Sequence, residues 1–103
     1  IKHNEIKNSL GDAVYLSSNC DSAFVDNNTI KSNGDSDSGR SLRMFEVEDT
    51  ILFNNTIDSN DYSGIVITES SNNKIIQNIL KGNGKYGIQI LNDATKSANK
   101  IRP

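Results

Sequence analysis

Four side chains set the chemical question: Asp12, Tyr15, Arg40 and Arg43. Arginine presents a planar fork that pairs with a carboxylate through two hydrogen bonds, and tyrosine offers a flat apolar face. Together they suit a shallow groove for an acidic polysaccharide. Tyr86 and Gln89 repeat the same three-residue spacing and complete the candidate set. A competing reading pairs Asp12 with Arg40 at the surface and leaves the others solvated, since exposed charge clusters are common and contribute little. The elements that carry these six residues decide whether they meet.

Those elements form a repeat, and repeats come before local structure. Ile6, Ile30, Ile57 and Leu80 follow one another at intervals of 24, 27 and 23 residues. Around each lies the phrase apolar-x-x-Asn-x-apolar-x-x-Asn/Ser, as in Leu52, Asn55, Ile57 and Asn60. A short alternating stretch follows each copy: Val14/Leu16, Leu42/Met44, Ile65/Ile67 and Ile88/Ile90. Period-two alternation belongs to a strand with one buried face. Extra residues fall in polar stretches, at Gly34 to Arg40 and after Ile90. Strand positions thus hold register while turns absorb insertions, as in a solenoid.

Composition agrees. Of 103 residues, 34% are hydrophobic and none is Trp, which is lean for a globule with a thick apolar centre. Asn and Ser suit turns and disfavour helix interiors. The net charge of -2 comes without a basic stripe, so nucleic acid is not an expected partner. No run approaches 18 consecutive apolar residues, so no membrane-inserting helix is expected. Cys20 is single, which leaves no internal disulfide and no cysteine-pair metal site.

No apolar stretch is long enough for an ordinary helix. A leucine-rich repeat would need apolar residues three and five before the Asn, yet five before Asn78 stands Asn73. A unit of 23 is no multiple of the hexapeptide that a left-handed β-helix uses. The expected fold is all-β, a right-handed parallel β-helix of about four coils of roughly 23 residues. Residues 1–103 form one segment of it, entered and left in mid-coil. Open coil ends expose apolar surface and strand edges, so self-association through them is expected.

Within that frame, "NNTI" at 27–30 and 54–57, "QNIL" at 77–80, "GIVI" at 64–67 and "YGIQI" at 86–90 resemble the right-handed parallel β-helix repeat family. It includes pectate-lyase-like proteins, alginate epimerases and lyases, and phage tailspikes. The resemblance covers nearly the whole chain. It implies an extracellular or cell-surface protein that binds or processes polysaccharide, uronates among them, as lyase, epimerase or hydrolase. It equally implies a non-catalytic alternative, a tailspike shaft or surface spacer. Alginate epimerases carry Tyr-Gly-Phe-Asp-Pro-His on the corresponding strand. Here Tyr86-Gly87-Ile88 fits, but Gln89 and Leu91 stand where acid–base residues would be.

Stacked coils turn equivalent residues into columns. Ile1, Val25, Leu52, Ile75 and Ile101 are expected inside, as are Ile6, Ile30, Ile57 and Leu80. Asn4, Asn28, Asn55 and Asn78 are expected to bond from coil to coil and to take the left-handed backbone of a sharp turn. The Asn-x-Thr sequons at Asn27 and Asn54 follow from the turn phrase itself. No cofactor is expected. Asp35 and Asp37, in a Gly/Ser loop, offer oxygen ligands for calcium or, with Asp12, a hydrolase-like carboxylate set. His3, the single histidine, is expected at the surface of a turn.

Overall fold

The computed structural model describes residues 1–34, 39–91 and 99–102. In chain order its strands are β1 (Glu5–Lys7), β2 (Val14–Leu16), β3 (Phe24–Asp26), β4 (Thr29–Lys31), β5 (Leu42–Phe45) and β6 (Ile51–Phe53). They continue with β7 (Thr56–Asp58), β8 (Ile65–Thr68), β9 (Lys74–Ile76), β10 (Ile79–Lys81), β11 (Ile88–Leu91) and β12 (Lys100–Arg102). Every third strand pairs, always in parallel. The first sheet is β1-β4-β7-β10, the second β2-β5-β8-β11 and the third β3-β6-β9-β12. About four coils therefore wind a three-sided parallel solenoid, with no helix among the described residues.

The register is the one that the repeat dictates. Ile6, Ile30, Ile57 and Leu80 are successive Cα partners, as are Val25, Leu52, Ile75 and Ile101. In the strands of the first and third sheets the middle side chain faces inward, as Ile30 does between Thr29 and Lys31. The second sheet turns two residues inward per strand, such as Leu42 and Met44. These residues fill the core with Val47, Ile65 and Ile67, all wholly buried. Each such side chain contributes about 2 kcal/mol of burial. The columns open toward their ends, where Ile1 is 49% and Ile101 44% exposed.

The asparagines hold the corners, in a way that corrects one expectation. Asn28, Asn33, Asn55, Asn60 and Asn73 are buried, and none has a positive φ. The left-handed residue is the one before: Asn27 (φ 55°), Ser32 (55°), Asn54 (57°), Ser59 (55°) and Asn72 (55°). It bends the chain outward, and the following Asn then points into the core edge. Short polar side chains tolerate this backbone better than others, which is why Asn and Ser crowd the turns. Three ladders result: Asn4-Asn28-Asn55-Asn78, Ser9-Asn33-Asn60-Asn83 and Thr50-Asn73-Asn99.

Glycine in the second sheet marks a close approach. A Cβ on Gly64 would lie 2.7 Å from the Gly87 carbonyl oxygen and 2.9 Å from Leu80 Cδ2. The next coil packs down on that point, where only hydrogen fits.

Candidate functional site

The second sheet and the turn leading into it carry the candidate residues. Val14, Leu42, Ile65 and Ile88 are register partners, so Asp12, Arg40, Ser63 and Tyr86 enter one column. Tyr15 pairs with Arg43, Arg43 with Val66, and Val66 with Gln89. Outward alternation places these middle residues on the solvent face. Val66 is nevertheless only 1% exposed, so its neighbours close over it and make it the floor of the face.

Asp12 ties the first two coils together. Its Oδ1 accepts a hydrogen bond from the Arg40 backbone N–H at 2.6 Å, and its Oδ2 lies 3.5 Å from Arg43 Nη1. The ion pair is therefore with Arg43; Asp12 meets only the backbone of Arg40. Both carboxylate oxygens are engaged. The Arg43 guanidinium also sits 4.8 Å from the centroid of the Tyr15 ring, itself 48% exposed.

Arg40 turns the other way. Its guanidinium lies 5.3 Å from the Tyr62 ring centroid, and its Nε is buried without a hydrogen-bond partner among the described residues. The Lys85 ammonium lies 4.7 Å from the same ring and 5.8 Å from that of Tyr86. Lys85 Nζ also donates to the Tyr62 hydroxyl at 2.8 Å. That hydrogen bond, with the electrostatic attraction of Tyr62, raises the Lys85 pKa above 10.5. Gln89 Oε1 accepts from Ser63 Oγ at 3.2 Å.

Five of the six expected residues thus meet a cation, ring or acid from the same face, and Gln89 anchors its upper edge. Tyr62 and Lys85 belong with them and were not expected. Their signal was present: Tyr62 and Lys85 precede Ser63 and Tyr86 at the same repeat offset. A column of Gly11, Gly39, Tyr62 and Lys85 gains bulk only in its upper coils, so no single repeat discloses it.

The far end of the second sheet has the opposite charge. Ser18, Asn19, Asp21, Glu46, Glu48 and Glu69 line a depression of about 470 Å³. Ser18 Oγ donates to Glu46 Oε2 at 2.7 Å, and the Glu48 N–H to Asp21 Oδ1 at 2.8 Å. The face therefore runs from a cationic, aromatic entrance to an acidic exit. His3 is exposed with φ 55°, in a turn. Asp35 and Asp37 lie outside the described residues. Among the described residues no group of three or more His, Cys, Asp or Glu is placed to hold a metal ion.

A family described as a right-handed β-helix region matches residues 1–102. The chain belongs to that family. Its coils are accordingly right-handed, and the three sheets are the three faces of a right-handed β-helix. No curated protein and no solved structure matches it. The β-helix fold hosts many activities, so membership fixes the scaffold and leaves the chemistry to the residues on its faces.

Proposed function

We propose that this β-helix segment binds an acidic, uronate-containing polysaccharide along the outer face of the second sheet, outside the cell or at its surface. One observation carries the reading: Arg43 and Arg40 each lie over a tyrosine ring on this face, and the Arg40 Nε has no hydrogen-bond partner among the described residues. A guanidinium held by a ring is oriented without consuming its hydrogen bonds, and it matches a carboxylate in shape. Tyr15 and Tyr86, about half exposed, offer flat faces to sugar rings. Coils recur about every 4.8 Å, close to the length of one sugar unit, so a chain lying along the stack would meet successive side chains.

Binding is the proposed role, and catalysis is not. Asp12 is held by two partners, and the Gln89 amide cannot move a proton at neutral pH. The acidic exit repels an anionic polymer and would hold its charged units at the cationic entrance.

A non-catalytic spacer is the second reading, favoured by ladders that run unbroken through the coils. A glycan array separates the two. Binding to polyuronates, lost in Arg40→Ala/Arg43→Ala and absent for neutral glucans, is the expected result. No retained glycan, or retention indifferent to the double substitution, rejects the groove and leaves the spacer.

A further inference from the structure

The outer face of the third sheet is self-complementary. Its outward side chains form two columns. Phe24, Ile51, Lys74 and Lys100 are register partners in one, and Asp26, Phe53, Ile76 and Arg102 in the other. Phe24 is 39% exposed, and Ile51, Phe53 and Ile76 are half-buried. Lys74, Lys100 and Arg102 are exposed and form no ion pair among the described residues. Two shallow grooves of about 140 and 290 Å³ cross the upper part of the face and share Lys74 and Lys100.

We propose that this face docks a second copy of the chain, antiparallel, about a two-fold axis lying along the strands between β6 and β9. Such an axis keeps each column in place and reverses the order of the coils. Asp26 then faces Arg102 of the second copy, and Phe53 faces Ile76. Phe24, whose ring already has the Lys2 ammonium of its own chain 5.4 Å from its centroid, packs along the stem of Lys100, and Ile51 lies along the stem of Lys74. Each pairing occurs twice, and no like charges are opposed. A two-fold interface requires such a self-matching patch. Apolar residues in the middle coils, with Asp26 beside Lys2 at one end and cations alone at the other, supply it.

The patch is small, roughly 19 Å tall at the strand spacing and about 12 Å wide. That is well below the roughly 800 Å² per partner of a stable interface, so the dimer is weak and forms in the upper micromolar range or above. Charge contributes at its edges, so salt weakens it.

Sedimentation equilibrium of the intact chain across concentrations up to about 1 mM tests this. A reversible shift toward twice the monomer mass is expected. Asp26→Arg and Arg102→Asp each oppose like charges and weaken the association by about tenfold or more. The combined variant exchanges both partners and restores it to within about threefold of the original. Lys74→Glu/Lys100→Glu, at exposed positions that leave the core untouched, also abolishes the dimer. A monomer at every concentration overturns the proposal. So does association that ignores the single substitutions, or that survives Phe53→Lys in the middle coils, a position that stacking through the open coil ends would not touch.

Discussion

The side-chain oxygen of Asn55 accepts two hydrogen bonds from Asn28, one from its backbone N–H at 2.9 Å and one from Nδ2 at 3.0 Å. Asn55 Nδ2 in turn donates to the Val25 carbonyl and to Asn78 Oδ1, both at 2.9 Å. Each rung thus closes a turn below it and is held by the rung above. Asn55→Ala removes these bonds at a site only 1% exposed and leaves buried donors and an acceptor unpaired. The expected loss is about 3 kcal/mol. Asn4→Ala, at the exposed end of the same ladder, loses about 1 kcal/mol or less. Denaturant unfolding of the two variants checks the contrast.

The second sheet makes a similar demand at Gly64. Its column partner Ser41 is buried and carries a side chain, with Oγ 3.2 Å from the Ser63 carbonyl oxygen. Gly64 has no such room, since a Cβ meets the Gly87 carbonyl at 2.7 Å. Gly64→Ala should destabilise by about 1–3 kcal/mol through overpacking, while Ser41→Ala stays near 1 kcal/mol. Thermal melts of both variants give the comparison.

Much of this scaffold was legible in the residues. Ile30, Ile57 and Leu80 keep their places because a one-residue slip would turn every inward side chain out. The ladder was legible too, but the left-handed positions were not: Asn27 and Asn28 are chemically identical, and only the fold decides which one bends and which one bonds. The site was legible in part. Asp12 and Arg43 are set by strand register, whereas the partner of Arg40 depends on side-chain direction across a coil. Tyr62 and Lys85 sit in the turn before the strand, outside the alternation that exposes binding positions.

Lys85 gives the site a signature in titration. Its pKa is raised by the Tyr62 hydroxyl, so its favourable contribution to folding is fully present below pH 10.5 and is lost as pH climbs through the raised value. Tyr62→Phe removes the acceptor and returns the ammonium toward 10.5. NMR titration of the lysine side-chain carbons reads this directly. An unchanged Lys85 midpoint in Tyr62→Phe would contradict the arrangement.

Arg43 separates stability from binding. Its side chain is 31% exposed and its partner Asp12 16%, so the ion pair contributes about 1 kcal/mol or less. Arg43→Ala should melt close to the parent and bind polyuronate about tenfold or more weakly, because a charge-assisted contact is gone. Calorimetric melts beside isothermal titration test both halves.

The most direct measurement is a titration of isotope-labelled chain with a defined oligouronate, followed by amide and side-chain NMR shifts. Binding on the second sheet predicts saturable shifts at Tyr15, Arg40, Arg43, Tyr62, Lys85 and Tyr86, with Ile51, Phe53 and Ile76 on the third sheet unmoved. Shifts spread over all three faces, or none at saturating ligand, would contradict it.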